Sequence, residues 1–369
     1  MKKNVLFISQ SLPNVVCGVG DHIYFIIKHL RKYPNLLSIK ILTSNSENIS
    51  SKFYSAFVSE KVDKWSFFNL FLKLYNDKDI DIIHYQYPIK YPVSRSLFFR
   101  LVPISFFLRI FIKKNIYLTI HEFYKLNFFL KILKLFEITF CDRVFVVTYI
   151  DECFLKKIFK NKIKFIPVGS NIPAHKDLES KKRTKSFKIV FFGFIDKSKG
   201  VENILDIISR LLISNQDVSF TLIGQFVNEK YKHHIFSVIN RLELNKNIEH
   251  IPYVPTKLLS KQLTNFDLAF LPFKDGVAPN RSSAIACLYA QLPIMTTYKD
   301  IVTPKYFKHM ENCILTKFND QQTMYDCIKI LINDSDLYSK LKKGSYELTK
   351  KFDWKQTAEI LKAEYLKSE

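Results

Sequence analysis

Short apolar segments alternate with segments of helical length along the whole chain, and this alternation restricts the possible folds more than any other feature. The stretches Asp21–Arg31, Val201–Leu212 and Tyr231–Leu242 have helical length and period. Apolar runs rich in β-branched residues predict buried strands, and strands separated by helices form parallel sheets covered on both faces. The predicted strands are Val5–Ile8, Ile39–Leu42, Ile80–His84, Ile116–Ile120, Val144–Thr148 and Lys164–Pro167, then Lys188–Phe192, Ser219–Ile223, Ile248–Pro252, Leu268–Leu271, Ile294–Thr297 and Cys313–Leu315.

The apolar runs form two consecutive sets, which predict two doubly wound, Rossmann-like α/β domains. A chain of 369 residues also exceeds the length that one hydrophobic core usually serves. The joint is a polar, charged stretch without apolar periodicity, so we place a linker at residues 171–186. The N-terminal domain then covers residues 1–170 and the C-terminal domain residues 187–350, and a final helix follows in 351–369.

Glycine is scarce, and most of the eight glycines, Gly224 among them, stand shortly after a predicted strand. In the first domain Gly18, Val19 and Gly20 form a loop that enters a helix. Backbone N–H groups of such a loop can face an anion or hydroxyl groups. The dinucleotide pattern G-x-G-x-x-G is absent, because Ile23 stands where the third glycine belongs. A simple tight turn is therefore the alternative to a binding loop.

Two histidines stand at the predicted carboxyl ends of strands, where open α/β sheets bind ligands. His121 and Glu122 follow the run IYLTI, and His84 follows IDII. A histidine in that position can hydrogen-bond a sugar hydroxyl or stabilise positive charge through its backbone carbonyl. A capping or core histidine is the alternative at both positions.

The second domain opens with a strand, Gly193, a short loop carrying Lys199, and a helix. At such a junction an ammonium group and a helix N-terminus can both face phosphate. It is not a P-loop, because the pattern G-x-x-x-x-G-K-[ST] is absent. A solvated loop lysine is the alternative for Lys199.

A second junction in this domain, PFKDGVAPNRSS, places five candidate residues before a helix. A guanidinium group beside hydroxyls and open backbone N–H groups suits a diphosphate. The serines can instead cap the helix, and both roles can hold at once. The five residues are Asp275, Gly276, Arg281, Ser282 and Ser283.

The formal net charge of +22 calls for a partner, and the excess lies mainly in residues 1–170, with 26 Lys and Arg against 12 Asp and Glu. An anionic ligand, a nucleic acid or an anionic membrane could explain it, and AT-rich coding bias is the simpler alternative. Residues 91–136 hold eight basic residues, one acid and nine phenylalanines. Basic residues mixed with Phe on helical segments suit the surface of an anionic membrane, and a Phe core with solvated charges is the alternative.

The six cysteines include no C-x-x-C pair, which argues against a zinc ribbon or a disulfide scaffold and favours a reducing cytosol. The apolar run before Ser9 is too short for the core of a signal peptide. No uncharged apolar stretch of eighteen residues occurs, so we expect no membrane-spanning helix.

Seven motifs follow one another along the chain: GVGDH, TIHE, DRVFVVT, IPVGSNIP, FGF…KG, LIG and PFKDGV…RSS…LPIMTT. Taken together and in this order, they resemble bacterial GT-B glycosyltransferases of the retaining family 4, of the kind that builds polysaccharide, capsule and O-antigen. The resemblance implies two Rossmann-like domains facing a cleft and a C-terminal helix, around Trp354, that crosses back to the first domain. It also implies that the loop at Gly18 lies near the donor phosphates and acceptor, and that His121 lies beside the anomeric carbon. Lys199 matches the lysine of the family's diphosphate clamp.

The chain departs from the family pattern at three positions. Phe194 replaces the arginine of the clamp, and Ala278 and Ala286 stand where the glutamates of E-x7-E would be. Asp275 with the glycine after it can replace the first Glu-Gly, and Arg281 can take over from the missing arginine.

These features predict a cytoplasmic, peripheral-membrane enzyme that transfers a sugar, with retention, from a UDP- or GDP-sugar to a glycan or lipid-linked hydroxyl. We expect His121 and Asp275 to be catalytic, and Asp21, His84 and Glu122 to lie on the acceptor side. No metal or cofactor is expected, because no D-x-D triplet lies in a plausible site loop and fixed cations can stabilise the leaving diphosphate. A noncatalytic partner subunit and, less so, a nucleic-acid-binding protein are the alternatives. The expected donor-side residues are Gly18, Val19, Gly20, Gly193, Lys199, Gly224, Gly276, Arg281, Ser282 and Ser283.

Overall fold

The chain forms two compact units in a computed structural model that describes residues 2–9, 18–43, 57–58, 67–87, 102–112, 114–172 and 186–367. The first unit comprises Met1–Gly169 together with Asp353–Glu369, and the second comprises Ser170–Phe352. Of the predicted linker, residues 173–185 lie outside the described part of the chain.

The first unit is built on a parallel sheet that has seven strands among the described residues, in the order β3-β2-β1-β4-β5-β6-β7. The order reverses between β1 and β4, which makes that point the topological switch of the sheet. The strands are β1 (Lys3–Ser9), β2 (Leu37–Thr43), β3 (Phe57–Val58), β4 (Ile82–Tyr87), β5 (Asn115–Ile120), β6 (Arg143–Val146) and β7 (Ile163–Phe165).

Helices cover both faces of this sheet. Side chains alternate along β1, so that Val5 and Phe7 join one core cluster while Leu6 and Ile8 join the other. Helical residues 102–107 lead into a π-helical turn at Leu108–Ile112. The helices are α1 (Gly18–Leu30), α2 (Phe67–Asn76), α3 (Phe128–Phe140) and α4 (Tyr149–Ile158), and a 3-10 turn spans Phe123–Lys125.

The second unit has a parallel sheet of six strands in the order β10-β9-β8-β11-β12-β13 across its described residues, with its switch point between β8 and β11. Its strands are β8 (Phe187–Phe192), β9 (Val218–Ile223), β10 (Ile248–Ile251), β11 (Leu268–Leu271), β12 (Ile294–Thr297) and β13 (Ile314–Thr316). Its helices are α5 (Val201–Ile213), α6 (Glu229–Arg241), α7 (Thr256–Leu263), α8 (Ser282–Tyr289), α9 (Gln321–Asn333) and α10 (Ser335–Thr349), and a 3-10 turn spans Lys197–Lys199.

The C-terminal helix α11 (Trp354–Lys367) packs on the first unit, beside α1. Trp354 shares a core cluster with residues of α1 and β1. The Thr357 hydroxyl donates to the Pro167 carbonyl at 2.6 Å. A Cβ atom at Gly169 would lie 2.5 Å from the Trp354 indole, so the absence of a side chain there is what admits the ring. The return of the helix to the first unit agrees with the expectation from sequence.

The predicted fold class, α/β with two doubly wound Rossmann-like domains, is confirmed. Each of the twelve predicted apolar runs overlaps a strand. The two-residue strand β3 was not predicted, because two residues are too few for an alternating pattern to show.

Candidate functional site

In the second unit, two strand–loop–helix junctions meet at the switch point of the sheet. β8 leads to the start of α5, and the neighbouring β11 leads to the start of α8. The two loops are joined, because the Lys274 N–H donates to the Ser198 carbonyl at 2.9 Å. A Cβ atom at Gly200 would lie 2.7 Å from the Pro272 carbonyl oxygen, so only glycine permits this approach. Open α/β sheets bind ligands at such points.

Lys199 and Arg281 come from different junctions and converge on one aromatic ring. The Lys199 Nζ lies 5.4 Å, and the Arg281 guanidinium carbon 5.0 Å, from the centre of the Phe273 ring. Phe273 is buried, so this ring is a fixed platform for both side chains. We call Lys199 and Arg281 the cation pair. Two cations on one platform create a site that favours a ligand with more than one negative charge.

Arg281 is only partly engaged within the unit. Among the described residues it forms a long ion pair with Asp275, at 3.9 Å. Its Nε atom is buried and has no hydrogen-bond partner among the described residues. A buried N–H without a partner costs free energy, so an acceptor oxygen supplied by a ligand would stabilise the site.

Helix N-termini add to the positive potential beside the cation pair. The N-cap residues of α5 and α8 are Gly200 and Arg281, and neither makes a side-chain capping bond. Ser282 and Ser283 therefore do not cap α8: they are its first two residues, and capping as their sole role is excluded. The first N–H groups of a helix carry partial positive charge and suit phosphate oxygens.

Glycines let the backbones of this site approach closely. Gly193 and Gly224 have φ of 139° and 141°, and a Cβ atom at Gly224 would lie 1.9 Å from the Gly193 oxygen. A Cβ atom at Gly193 would touch Ser283 at 3.4 Å. Gly276 has φ of 77° and abuts Lys299 N. Gly193, Gly224 and Ser283 are thus neighbours, and Gly276 shapes the loop that carries Asp275.

In the first unit His121 directly follows β5, as predicted, and it is 9% exposed. Its Nε2 atom lies 3.2 Å from Oε1 of Gln86, on the neighbouring strand β4. Burial lowers the pKa of His121 to about 4, so the ring is neutral at pH 7.

A second histidine, which sequence reasoning did not select, lies against His121. The His22 ring, on α1, meets the His121 ring edge-on with 4.7 Å between their centres, and it lies 5.4 Å from the Trp354 ring. His22 is buried and its ring nitrogens make no close hydrogen bond among the described residues, while the neighbouring Gln86 side chain has an effect that by itself would raise its pKa. Burial, followed by the neighbouring His121 and His84, holds its pKa well below the usual value. The helical period of HIYFII was the available signal, since it puts His22 on the same face as buried Ile26.

His84 is not at a strand end, and that prediction was wrong. It is the third residue of β4, fully buried, and both ring nitrogens are engaged, with Tyr365 and Thr119. The predicted strand Ile80–His84 began too early, because Ile80 is apolar and buried but precedes the first paired residue. With both nitrogens engaged within the unit, nothing supports an acceptor contact for His84.

The remaining predicted residues of the first unit lie at the start of α1 and shortly after β5. Gly18, Val19, Gly20 and Asp21 form the first turn of α1, and a Cβ atom at Gly18 would meet nothing within 4 Å. The residues between Ser9 and Gly18 lie outside the described part of the chain. Because α1 already begins at Gly18, these glycines are helical rather than part of a loop.

Glu122 follows His121 and pairs with Lys125 at 2.5 Å. The turn after it is held by Asp151, which was not predicted and which accepts the Phe123 and Tyr124 N–H groups at 2.9 and 2.8 Å. Asp151 also lies next to the cap of α4, where the Thr148 side chain accepts from its backbone N–H. The segment that follows His121 is therefore fixed by a buried carboxylate.

Within the described residues, no group of three His, Cys, Asp or Glu side chains is arranged to hold a metal ion. None of the described helices is long and apolar enough to cross a membrane.

Comparisons with known proteins agree with this architecture. Residues 175–348 match the family model "Glycosyl transferases group 1". A glycosyltransferase from Rickettsia africae has a similar structure, with a TM-score of 0.77 and 14% identity over 100% of both chains. HepE of Anabaena in complex with UDP has a TM-score of 0.75 and 15% identity over 100% of both chains. WaaG, described as a glycosyltransferase involved in lipopolysaccharide biosynthesis, gives 0.61 and 12% identity over 98% of this chain and 100% of that one. No curated protein sequence matches the chain. The family match supports the expectation of a transferase enzyme, and the structural neighbours share the fold.

Proposed function

We propose that the chain is a retaining glycosyltransferase that takes a sugar from a nucleoside-diphosphate sugar and needs no metal ion. The observation that carries this proposal is the cation pair on the Phe273 ring, beside two helix N-termini without side-chain caps. The family match covers this unit, and HepE, which shares the fold, has been crystallised with UDP. Lys199 and Arg281 would hold the diphosphate, and Ser283 and the backbone at Gly193 would line the same site.

The chemical step follows from the charges of these residues. Breaking the glycosidic bond leaves additional negative charge on the diphosphate, and fixed cations with helix N-termini stabilise it without reorganising. Retention without a carboxylate nucleophile means that departure and attack occur on one face, with the leaving phosphate taking the acceptor's proton. Neutral His121 offers a ring nitrogen to a substrate hydroxyl, and Asp275 replaces the first family glutamate at the sugar.

A thermal-shift screen against UDP, GDP, dTDP and CMP tests the donor proposal. A ligand at about 100 times its dissociation constant stabilises the folded state by about 2.7 kcal/mol. We expect UDP or GDP to raise the melting temperature and CMP, which has one phosphate, to do so less. Equal effects of CMP and UDP would contradict a diphosphate site. Binding without any turnover would favour the noncatalytic partner subunit instead.

We further propose that the first unit rests on an anionic membrane surface at the inner face of the cell membrane, where a lipid-linked acceptor would be available. The support is an exposed apolar stripe on α3, in which Phe128, Ile132 and Phe136 recur every fourth residue. Phe128 is 80% exposed and Phe136 50%. A helix that exposes an apolar stripe suits insertion among lipid headgroups.

The exposed stripe continues through ring contacts into the neighbouring segments. Phe136 contacts Phe140, and Phe140 contacts Phe106, each with ring centres 5.0 Å apart. Phe107 stacks on Phe111, which is 65% exposed. The exposed side chains of this surface are Phe111, Phe128, Phe129, Ile132 and Phe136. Residues 91–101 of the predicted membrane segment lie outside the described part of the chain.

A further inference from the structure

A chain of buried hydrogen bonds connects the C-terminal helix to His121. The Tyr365 hydroxyl lies 2.5 Å from Nδ1 of His84, and Nε2 of His84 lies 2.8 Å from the Thr119 hydroxyl. Nε2 of Gln86 donates to the same hydroxyl at 3.1 Å. Oε1 of Gln86 faces Nε2 of His121 at 3.2 Å.

Every member of the chain is buried. Tyr365, His84 and Thr119 are 0% exposed, Gln86 is 2% exposed and His121 is 9% exposed. Water cannot replace a bond that is lost at such a depth, so each broken link leaves a buried polar group without a partner. The hydrogen-bond chain therefore ties the proton positions of its members to one another.

In the orientation that the structure gives the Gln86 amide, the direction of the protons along the hydrogen-bond chain is fixed. Oε1 of Gln86 can only accept, so His121 carries its proton on Nε2 and keeps a lone pair on Nδ1. Nε2 of Gln86 donates to the Thr119 hydroxyl oxygen. The Thr119 hydroxyl then donates its own proton to Nε2 of His84, so it accepts one hydrogen bond and donates one. His84 then carries its proton on Nδ1 and donates to Tyr365.

We propose that Tyr365, at the far end of this chain of hydrogen bonds, is a positioning residue. It acts through His84, Thr119 and Gln86 to fix the tautomer and orientation of His121. The C-terminal helix then completes the site chemically, in addition to packing on the first unit. The consequence for catalysis rests on the proposed function, because it requires His121 to contact substrate. The tautomer of His121 does not depend on that function.

The alternative is that Tyr365 only attaches α11 to the sheet, and the fold offers a matched control for this. The Tyr117 hydroxyl donates to the Glu364 carbonyl at 2.9 Å. This bond also joins the sheet to α11, but it is not part of the chain of hydrogen bonds that ends at His121. The Tyr117 and Tyr365 rings stack with 5.6 Å between centres. Tyr117→Phe and Tyr365→Phe therefore remove equivalent hydroxyls from the same contact.

Thr119 provides a second pair of variants, which distinguishes a packing role from a role in the chain of hydrogen bonds. Thr119→Val keeps the shape of the side chain but removes the hydroxyl, whereas Thr119→Ser keeps the hydroxyl but loses a buried methyl group. A packing role predicts that Thr119→Ser impairs the protein more than Thr119→Val does. A positioning role predicts that Thr119→Val impairs it more.

The first measurement is the ring ¹⁵N spectrum of selectively histidine-labelled, full-length protein at pH 7. We expect wild type to show His121 protonated on Nε2, Thr119→Ser and Tyr117→Phe to match it, and Thr119→Val and Tyr365→Phe to shift the His121 signals. Protonation on Nδ1 in wild type would overturn the proposal. So would unchanged His121 signals in both Thr119→Val and Tyr365→Phe.

The second measurement is turnover with the donor identified by binding. We expect Thr119→Val and Tyr365→Phe to lower kcat about tenfold with KM for the donor changed less than twofold, and Thr119→Ser and Tyr117→Phe to stay within about twofold of wild type. Equal losses in Tyr117→Phe and Tyr365→Phe would overturn the proposal. If wild type transfers no sugar, the proposed function fails, and the ¹⁵N spectra still decide whether the chain positions His121.

Discussion

Removing one member of the cation pair should weaken donor binding without weakening the fold. Lys199→Met and Arg281→Met each keep an unbranched apolar stem for the Phe273 ring and delete only the charge. A hydrogen bond to a charged group contributes about 1.5–3 kcal/mol, which corresponds to about a 10- to 150-fold loss of UDP affinity. The melting temperature of the empty protein should fall by no more than about 3 °C, because the unbranched methionine side chain still packs on the Phe273 ring.

Arg281→Met should cost more than Lys199→Met. Asp275 lies 3.9 Å from the guanidinium, so deleting Arg281 leaves an unneutralised carboxylate beside the diphosphate. Adding Asp275→Asn to Arg281→Met should therefore recover part of the lost affinity. The ion pair is partly exposed, so solvent screening keeps this recovery to several-fold at most.

Isothermal titration calorimetry with UDP measures these effects. Lys197→Met is the matched control, since it removes the same charge from the same turn but lies beside Asp196 and Tyr231, away from Phe273. Its affinity should stay within about twofold of wild type. UDP affinity that is unchanged in Lys199→Met and Arg281→Met would refute the proposed role of the cation pair. An equal fall of UDP affinity in Lys197→Met would refute it too, because general surface charge would then explain the effect.

The remaining predictions concern the first unit. His121→Asn should lower turnover at least about 100-fold, or about 2.7 kcal/mol of barrier, with UDP affinity unchanged, and normal turnover would make His121 a core residue. The lowered pKa values of His121, about 4, and His84, about 3, mean that these side chains bind more protons in the unfolded chain than in the folded protein as pH falls from 7 to 4.5, so their contribution to stability must fall over that range. In urea unfolding at both pH values, His121→Asn should lose about 2–3 kcal/mol less between them than wild type, and equal losses would mean that His121 is not titrating from a neutral state. Phe128→Ser with Phe136→Ser should cut cosedimentation with anionic vesicles about tenfold or more, whereas Ile213→Ser, an exposed apolar residue of the second unit, should not. Equal binding of wild type to neutral and anionic vesicles would count against the membrane proposal.

Strand positions and the glycine-rich junctions were predictable because they depend on neighbouring residues. An apolar run bounded by polar residues has few options other than a buried strand, which is why all twelve runs overlap strands. Lys199 and Arg281 were also recognisable, since each stands just before a helix that follows a strand. The position of His121 after β5 follows from the same local pattern.

Exact strand ends were less accessible, and the error at His84 shows why. The run IDIIHYQY contains apolar and polar residues that are all buried from Ile82 onward, so hydrophobicity does not mark where pairing stops. Burial of the polar residues is permitted by partners from distant segments, such as Tyr365, 281 residues away. A local pattern cannot contain that information.

The sequence by itself determined the two parallel sheets, their helices and the junctions that carry the candidate donor site, because alternation and glycine placement act over a few residues. Only the tertiary structure decided which side chains meet. It brings Lys199 and Arg281 onto one ring, places His22 against His121, and links His121 to α11. These contacts arise where strands and helices far apart in sequence pack together, and packing depends on the shapes of all partners at once. For that reason the candidate residues could be listed from sequence, while their geometry could not.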